Sequence, residues 1–405
     1  MTSDARVVVI GAGLAGVTLA RRLGELGTPA LVVGEEEHRP YNRVLLAEVL
    51  AGRYAPEVIT LPAPPALVRA RVVGIDRSAR EVRCADGSAI GYGTLVLATG
   101  SNPVLPPLRG LFAAGQELPA GVHAFRTMDD CLRLSAAVRP GVRAVVVGGG
   151  LLGVSAARAL AERGAQVVLA QQAERLMERQ LDPGASRLVL RHLRGLGVEV
   201  HTECRVRDVR CVGGAVRSVE LADGYALDAD LVVLACGVRP RTGLAEDAGL
   251  TVREGVVVDG ALRTSDPRIR AVGDCAEHAG TVYGLAAPAL EQAAALAGLL
   301  TGTAASPYTG TRSLTRLTLH GPDSPFDLAA FGETDVRPGD DVVQLADATR
   351  GTYRRVVVRG DRLVGGVLVG ELGTVGALAR AWEGAEPLPT DGGPLLHLLT
   401  PDGGS

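Results

Sequence analysis

Two kinds of segment alternate along most of the chain: short runs of β-branched apolar residues and longer stretches rich in alanine and leucine. The first run, Val7–Ile10, is bounded by glycine and predicts a buried parallel strand, because strands covered on both faces are apolar at every position. A helix over Val17–Leu26 and a second strand over Ala30–Val33 follow. This order is typical of an α/β fold with a parallel sheet.

The same pattern occurs a second time, with a predicted helix over Val154–Arg163 and a predicted second strand over Gln166–Ala170. VVVIGAGLAG ends at Gly16, and AVVVGGGLLG ends at Gly153, 137 positions later. LVLATG, ending at Gly100, and VVLACG, ending at Gly237, keep the same offset of 137. Self-similarity of this kind indicates a repeated structural unit. We infer that one nucleotide-binding unit has been duplicated.

Each copy carries the spacing G-x-G-x-x-G between its first strand and its helix, and in that context the motif indicates dinucleotide binding. The first glycine allows a tight turn, the second lets the backbone approach a pyrophosphate, and the third lets the helix pack on the strand. Free N–H groups at the helix start favour phosphates. The residues predicted to bind dinucleotides are Gly11, Gly13, Leu14, Ala15 and Gly16 in the first copy and Gly148, Gly150, Leu151, Leu152 and Gly153 in the second.

The second strands of the two copies end differently. Glu35 and Glu36 follow the strand in the first copy, and a carboxylate about 20 residues past the glycines can accept hydrogen bonds from an adenosine ribose. Gln172 stands at the position of Glu35 in the second copy, with Arg175 three residues further on. The usual marker for NADH is missing, so both NADH and NADPH remain open as the co-substrate.

Two dinucleotide units in one chain indicate one tightly held FAD and one exchanging nicotinamide. LVLATG brings the backbone of Thr99 and Gly100 to a cofactor, and Gly237 is the counterpart of Gly100 in the second copy. In the segment AVGD, Gly273 precedes Asp274, whose carboxylate can bind the ribityl hydroxyls of FAD. The first unit is therefore expected to hold FAD and the second NADH or NADPH.

Composition narrows the class further. The balance of 42 basic and 45 acidic residues, a net charge of -3, gives no indication of nucleic-acid binding. The six cysteines include no C-x-x-C pair, so neither a redox disulfide nor a metal site is predicted. Free thiols suit the cytoplasm. No apolar run reaches the ~18 residues of a membrane span.

Three longer segments resemble a known family: PYNRVLL at Pro40–Leu46, LMERQLD at Leu176–Asp182 and AVGDCAEHAGTVYGLAAPALEQ at Ala271–Gln292. They are similar to the two-dinucleotide-domain flavoproteins, which include glutathione reductase and the ferredoxin and rubredoxin reductases. The resemblance covers nearly the whole chain. It is closest to the FAD domain of assimilatory NAD(P)H nitrite reductase large subunits and to the separate electron-transfer flavoproteins of nitrate and nitrite assimilation.

The resemblance implies that Arg43 and Arg126 touch FAD and that the main chain of Val72 borders the adenine. This chain also departs from the family pattern at two positions. Many members carry Lys five residues after the position of Arg43, near flavin N5, where this chain has Glu48. Many also carry Glu two residues after the last glycine of the second loop, where this chain has Ser155. Glu48 and Ser155 are the candidates nearest the reacting rings, and no side chain is required as an acid or base because hydride passes directly between rings.

The order of motifs predicts an NAD(P)H-binding domain inserted into an FAD-binding domain, both Rossmann-like. The predicted FAD domain comprises residues 1–118 and 251–305, the NAD(P)H domain 119–250, and a small C-terminal α+β domain 306–405. In similar proteins the C-terminal domain covers the flavin or forms a dimer interface, so a homodimer is one expectation.

Two further elements are predicted from local patterns. Pro288 is expected to open a helix over Ala289–Leu300, since proline at the first helical position needs no N–H partner. Strands at Arg354–Arg359 and Leu363–Val369 are expected to form a hairpin across the Gly360-Asp361 turn.

The function that these features predict is an FAD-dependent NAD(P)H oxidoreductase that passes electrons to a protein acceptor, such as a nitrite or nitrate reductase component. A ferredoxin or rubredoxin reductase serving a monooxygenase is the alternative with the same chemistry. The alternative of another class is a flavin-binding redox sensor with little turnover, which the departures at Glu48 and Ser155 motivate.

Overall fold

The computed structural model describes residues 6–112, 117–304, 306–321, 325–347, 349–384, 387–388 and 399. Its helices are α1 (Leu14–Glu25), α2 (Leu46–Leu50), α3 (Met128–Ala137), α4 (Leu151–Glu162), α5 (Pro183–Gly195), α6 (Gly243–Asp247), α7 (Ala286–Thr301) and α8 (Val375–Gly384). Its strands are β1 (Val7–Ile10), β2 (Ala30–Gly34), β3 (Ala66–Arg69), β4 (Val72–Asp76), β5 (Glu81–Cys84), β6 (Ala89–Gly91), β7 (Thr94–Leu97), β8 (Ser101–Pro103), β9 (Val122–Ala124), β10 (Arg143–Val147), β11 (Gln166–Ala170), β12 (Glu199–His201), β13 (Val206–Val212), β14 (Ala215–Leu221), β15 (Ala226–Asp228), β16 (Leu231–Leu234), β17 (Val238–Pro240), β18 (Val256–Val258), β19 (Ile269–Ala271), β20 (Ala276–His278), β21 (Leu314–Leu319), β22 (Phe326–Gly332), β23 (Asp341–Asp347), β24 (Thr352–Arg359) and β25 (Arg362–Val369).

The chain divides into two compact units. The first unit comprises Met1–Leu46, Tyr54–Pro103 and Val238–Thr311, and the second comprises Ala47–Arg53, Val104–Gly237 and Arg312–Ser405. The four segments predicted from the sequence were instead defined by the cofactor or domain to which each is expected to belong. Their boundaries stay a prediction.

The first unit is built on a five-stranded parallel sheet in the order β19-β7-β1-β2-β3. All four residues of β1 are buried, as expected for a central strand covered on both faces. Helices α1 and α7 pack against each other beside this sheet. The same unit contains the small antiparallel sheet β4-β5-β6 and the two-stranded sheets β17-β8 and β18-β20.

The second unit repeats the central arrangement with the order β12-β11-β10-β16-β9. Ile10 pairs with Val33 and Leu97 in the first sheet, and Val147 pairs with Ala170 and Leu234 in the second. Every partner is displaced by 137 positions, so the two sheets share one register. The predicted α/β class with two Rossmann-like units is confirmed.

The C-terminal part of the second unit is an antiparallel sheet, β21-β22-β25-β24-β23, with α8 packed against it. Its core includes Phe331 and Trp382, whose ring centroids lie 5.3 Å apart. The predicted hairpin is present, with Arg359 paired to Arg362 across a turn in which Gly360 has φ 61°.

Helix starts differ from the predicted ones. Both loop helices begin three residues earlier than predicted, because the second glycine of each loop is the N-cap. Helix α7 begins at Ala286, so the expectation that Pro288 occupies the first position is wrong. Proline is tolerated at the third position as well, because the first turn of a helix leaves its N–H groups without intrahelical partners.

An ion pair joins the start of β10 to the residue before β16. Arg143 donates from Nε and its backbone N to Asp230 Oδ2, both at 3.1 Å, and these bonds lower the pKa of Asp230 to about 2. A lowered pKa stabilises the fold at pH values above about 4, and that contribution is lost as pH falls towards 2. We expect Asp230→Asn to cost about 1 kcal/mol in urea unfolding at neutral pH and nothing near pH 2.

Asp228→Asn is the matched control, since Asp228 contacts the same Arg143 at 2.7 Å but its side chain is 74% exposed. Its effect should be much smaller. A loss at Asp230→Asn that does not shrink with falling pH would contradict this assignment.

Candidate functional site

The first glycine loop combines two closely packed glycines with one open glycine. A Cβ at Gly11, which has φ 113°, would lie 2.1 Å from Ala98 O, and one at Gly16 would lie 2.1 Å from Gly11 O. A Cβ at Gly13 would meet no atom of the described chain within 4 Å. Gly11 and Gly16 therefore serve the packing of the loop, whereas Gly13 leaves room beside the backbone for something else.

The second loop has the same geometry. A Cβ at Gly148, with φ 108°, would lie 2.4 Å from Ala235 O, and one at Gly153 would lie 1.8 Å from Gly148 O. Gly150 again faces open space within 4 Å as far as the described residues extend. Both loops thus present one uncrowded backbone position, in the same place.

A helix of 12 residues starts directly behind each open glycine. Leu14 and Ala15 begin α1, and Leu151 and Leu152 begin α4. Neither N-cap glycine supplies a side-chain hydrogen bond, so the first N–H groups are available to an external acceptor. An uncrowded glycine and free helix N–H groups fit the pyrophosphate of a dinucleotide.

The strand ends of the first unit converge on the same edge of its sheet as the first loop. Glu35 follows β2 and is ion-paired with Arg241, and Arg71 Nε lies 3.8 Å from its carboxylate. Thr99 Oγ1 donates to Arg241 O at 2.8 Å, and Arg241 N donates to Gly100 O at 2.9 Å. The residue Arg241, which sequence reasoning missed, ties these predicted positions together.

Asp274 lies beyond β19 at this edge. Ser101 Oγ donates to its Oδ2 at 2.9 Å. Gly273 has φ 79°, and its N–H donates to Gln292 Oε1 at 2.8 Å. Because Gln292 is 1% exposed, the turn that carries Asp274 is fixed from within the core. Val72, predicted to border the adenine, is the first residue of β4 and is half-buried.

Arg43 is held by its neighbours in the segment after β2. Its guanidinium is ion-paired with Glu36 and lies 5.0 Å from the centroid of the Tyr41 ring, and Tyr41 donates to Glu36 at 2.6 Å. Burial acts against the charge, but Tyr41, Glu36 and Asp274 together raise the pKa of Arg43. Glu36, predicted as a cofactor ligand, therefore positions Arg43 in this structure.

The strand end of the second unit uses a neighbour of the predicted residue. Gln172 is exposed after β11, whereas Gln171 turns back to the glycine loop and accepts from Gly149 N at 2.7 Å. The first copy has Ala12 and Gly34 at these two positions, and a Cβ at Gly34 would lie 2.7 Å from that of Ala12. In the first copy the side chain belongs to the loop residue Ala12, and in the second copy it belongs to Gln171, which follows the strand. A Cβ added at Gly237, which has φ 99°, would meet no atom of the described chain within 4 Å.

The two candidates near the reacting rings are already engaged. Ser155 Oγ donates to Leu151 O at 2.8 Å, one turn back along α4. Glu48 is ion-paired with Arg158, whose side chain has 0% exposure. Glu162 Oε2 lies 3.1 Å from Arg158, and His320 Nδ1 lies 3.4 Å from Glu48. Sequence reasoning missed Arg158, whose neighbours in α4 are the apolar residues Ala156, Ala157, Ala159 and Leu160.

Arg126 precedes a capping box. Thr127 caps α3, its side chain accepts from Asp130 N, and the Asp130 carboxylate accepts from the backbone N–H groups of Arg126 and Thr127. Residues 126–130, which read RTMDD, thus form the cap and first turn of α3 in the second unit. A role of Arg126 towards FAD stays a prediction.

The cysteines remain thiols. All six are free, and burial raises the pKa of Cys131 and Cys236 to about 11. Within the described ranges no group of three His, Cys, Asp or Glu residues could hold a metal ion. No helix found in those ranges has the length and apolar character needed to cross a membrane.

The family model for pyridine nucleotide-disulphide oxidoreductases matches residues 5–293. The chain belongs to this family. Members depend on FAD and NAD(P)H, so this chain is an FAD- and NAD(P)H-dependent oxidoreductase, as the sequence predicted.

Named relatives of this oxidoreductase include two proteins of Bacillus subtilis. It is 35% identical over 381 residues to an NAD(P)H nitrite reductase, covering 90% of this chain and 46% of the relative. It is 33% identical over 379 residues to an assimilatory nitrate reductase electron transfer subunit, covering 90% and 48%. The chain thus spans about half the length of these relatives.

Solved structures give a second group of similar proteins. A ferredoxin reductase from Rhodopseudomonas palustris superposes with a TM-score of 0.80 at 30% identity, covering 91% of each chain. Putidaredoxin reductase, in its covalent complex with putidaredoxin, superposes with a TM-score of 0.84 at 27% identity, covering 97% of this chain and 98% of that one. The named relatives and the solved structures both confirm the predicted family.

Proposed function

We propose that this oxidoreductase holds FAD in its first unit, accepts hydride from NADH or NADPH bound in its second unit, and delivers the electrons to a nitrate or nitrite reductase component. The observation that carries the proposal is the pair of glycine loops with one geometry and different strand ends. Loops of one geometry fit the pyrophosphate that FAD and NAD(P)H share, and the strand end meets the adenosine ribose, where only NADPH carries a 2′-phosphate. The likeness to the nitrate and nitrite reductase proteins of Bacillus subtilis supports the acceptor.

The residues divide between the two cofactors. In the first unit, Gly13 and the start of α1 would hold the FAD pyrophosphate, Glu35 the adenosine ribose and Asp274 the ribityl chain. In the second, Gly150 and the start of α4 would hold the NAD(P)H pyrophosphate. FAD, when bound, supplies the chemistry that links a two-electron donor to one-electron acceptors. The chain's own part is to bind and orient, since neither Glu48 nor Ser155 has a free proton-transfer group.

A ferredoxin or rubredoxin reductase is the second candidate. The likeness to putidaredoxin reductase, with a TM-score of 0.84 and 27% identity over 97% of this chain, supports it. We also propose that the protein is located in the cytoplasm, which the six free thiols support, and that it forms a homodimer.

Anaerobic titration of the FAD-loaded protein with NADH and with NADPH tests the hydride step. Bleaching of the flavin absorbance by one of them is expected, and bleaching by neither would move the redox sensor to first place. Adding an oxidised nitrite reductase component or a ferredoxin then tests the acceptor, and reoxidation by the ferredoxin alone would favour the second candidate.

Gln172→Glu is expected to favour NADH over NADPH by roughly tenfold in kcat/KM, because a carboxylate at the end of β11 repels a 2′-phosphate. Gln166→Glu, at the other end of the same strand and also exposed, is the matched control. If the ratio of kcat/KM for NADH to kcat/KM for NADPH is the same in wild type and in Gln172→Glu, the result would count against a nucleotide site at this strand end.

A further inference from the structure

Gly149, the middle residue of the second glycine loop, lies in contact with the segment that follows β11. Gly149 N donates to Gln171 Oε1 at 2.7 Å, and Gly149 O accepts from Met177 N at 2.9 Å. A Cβ on Gly149 would lie 2.6 Å from Leu176 Cδ2, so the leucine packs directly on its backbone. We call residues 171–181 the bracing segment.

The bracing segment has an unfavourable backbone conformation at its centre. Met177 is 1% exposed and has φ 51°, a left-handed value that side chains disfavour. Leu181 N donates to Met177 O at 2.9 Å, and Ser186 Oγ donates to Leu176 O at 2.9 Å. A conformation of this kind persists only where its surroundings hold it in place.

The far end of the bracing segment is attached to the C-terminal sheet. Asp182 follows the segment and caps α5, accepting from Gly184 N at 2.9 Å. Tyr353 of β24 donates to the same Asp182 oxygen at 2.6 Å, and Arg355 Nη1 lies 3.5 Å from it. Both partners are buried, with Asp182 and Tyr353 each 4% exposed.

The contact is closely fitted and strongly polar. A Cβ on Gly184 would lie 2.5 Å from the Tyr353 hydroxyl, so glycine is needed for the ring to reach Asp182. Asp182 Oδ1 is buried and has no hydrogen bond among the described residues, so the carboxylate depends on the contacts of Oδ2. Burial and the nearby charge of Asp182 raise the pKa of Tyr353, which keeps its hydroxyl a donor.

We propose that Tyr353 is a positioning residue for the nicotinamide nucleotide: through Asp182 and the bracing segment it keeps the second glycine loop in its binding conformation. The inference rests on the proposed function, in which this loop binds NADH or NADPH. The C-terminal domain thereby acquires a role in donor binding. If the loop adopts its binding conformation in a smaller fraction of molecules, the apparent Kd rises in inverse proportion to that fraction.

Tyr353→Phe removes only the hydroxyl. We expect it to raise the Kd for the donor nucleotide roughly fivefold, with the limiting rate of flavin bleaching within about twofold of wild type. Stopped-flow bleaching over a range of NADH or NADPH concentrations separates the two quantities. Hydrogen–deuterium exchange without nucleotide should also be faster at residues 148–151 and 176–181.

Tyr308→Phe is the matched control, because this buried tyrosine of the first unit likewise donates or accepts a short bond, to Thr311 Oγ1 at 2.6 Å. It should leave the donor Kd unchanged. Asp182→Asn, which keeps the helix cap, serves if Tyr353→Phe does not fold, and a smaller rise in Kd is expected there.

The outcomes separate the two proposals. Wild-type Kd and wild-type exchange in Tyr353→Phe would overturn the role of Tyr353, as would a lowered limiting rate with unchanged Kd. A wild-type protein that neither NADH nor NADPH bleaches would instead overturn the proposed function, and the exchange measurement would still show whether Tyr353 braces the loop.

Discussion

Replacing Arg158 with alanine is expected to lower the free energy of unfolding by about 3 kcal/mol, because it breaks a buried ion pair. Among the described residues, Glu48 would keep only the longer contacts to the partly exposed Arg53 and His320. The Arg158 side chain has 0% exposure, and its partner Glu48 has 11%. Urea unfolding followed by circular dichroism measures the loss. The pair joins α2 to α4, so the transition that reports on the second unit should move.

Arg53→Ala is the matched control. Arg53 contacts the same Glu48 at 3.7 Å, but its side chain is 36% exposed, so solvent screens the pair and a loss of at most about 1 kcal/mol is expected. Replacing Glu48 and Arg158 together with methionine should recover much of the stability, since well-packed apolar residues can substitute for a buried pair. Equal losses for Arg53→Ala and Arg158→Ala would contradict the importance of burial.

Gly153→Ala is expected to abolish reduction by NADH and NADPH, lowering kcat/KM by about a hundredfold or more, while FAD remains bound. The added Cβ would lie 1.8 Å from Gly148 O, and backbone cannot yield as a flexible side chain can. The loop or the start of α4 must shift. Anaerobic bleaching, with flavin content measured in parallel, shows the effect.

Gly150→Ala separates ligand contact from loop packing. Its Cβ would meet nothing within 4 Å of the described chain, and its φ of -78° and ψ of -175° suit any residue. We therefore expect wild-type thermal stability with a roughly tenfold higher donor Kd, because the methyl group occupies the space where a pyrophosphate would approach. Gly16→Ala, whose Cβ would lie 2.1 Å from Gly11 O, should instead lose FAD. Unimpaired bleaching in Gly153→Ala would remove the second loop from the donor site.

The sequence predicted those features whose cause is local. Strand β11 was predicted with the bounds it has, Gln166–Ala170, because a short apolar run between Gly164 and the polar pair Gln171-Gln172 favours a strand. The register of 137 between the two units followed from the same short-range patterns. Helix starts were missed by three residues because glycine at an N-cap has no side chain to announce the cap.

The features that the sequence did not predict depend on distant partners. Arg158 and Glu48 are separated by 110 positions, and Tyr353 and Asp182 by 171. Each residue alone has an ordinary surface reading, as a solvated charge or a partly exposed tyrosine. The choice of Gln171 over Gln172 for the loop contact was also hidden, because both glutamines follow β11 and only the fold shows which of them reaches the loop.

The pairs Ala12–Gly34 and Gly149–Gln171 occupy equivalent places in the two copies, with the side chain on the loop in the first and on the residue after the strand in the second. A glutamine at position 34 beside Ala12 would place its Cβ 2.7 Å from the alanine methyl, whereas glycine at both positions leaves room. Transferring the glutamine of the second copy to the first therefore requires Ala12→Gly together with Gly34→Gln, because the two side chains would occupy the same space.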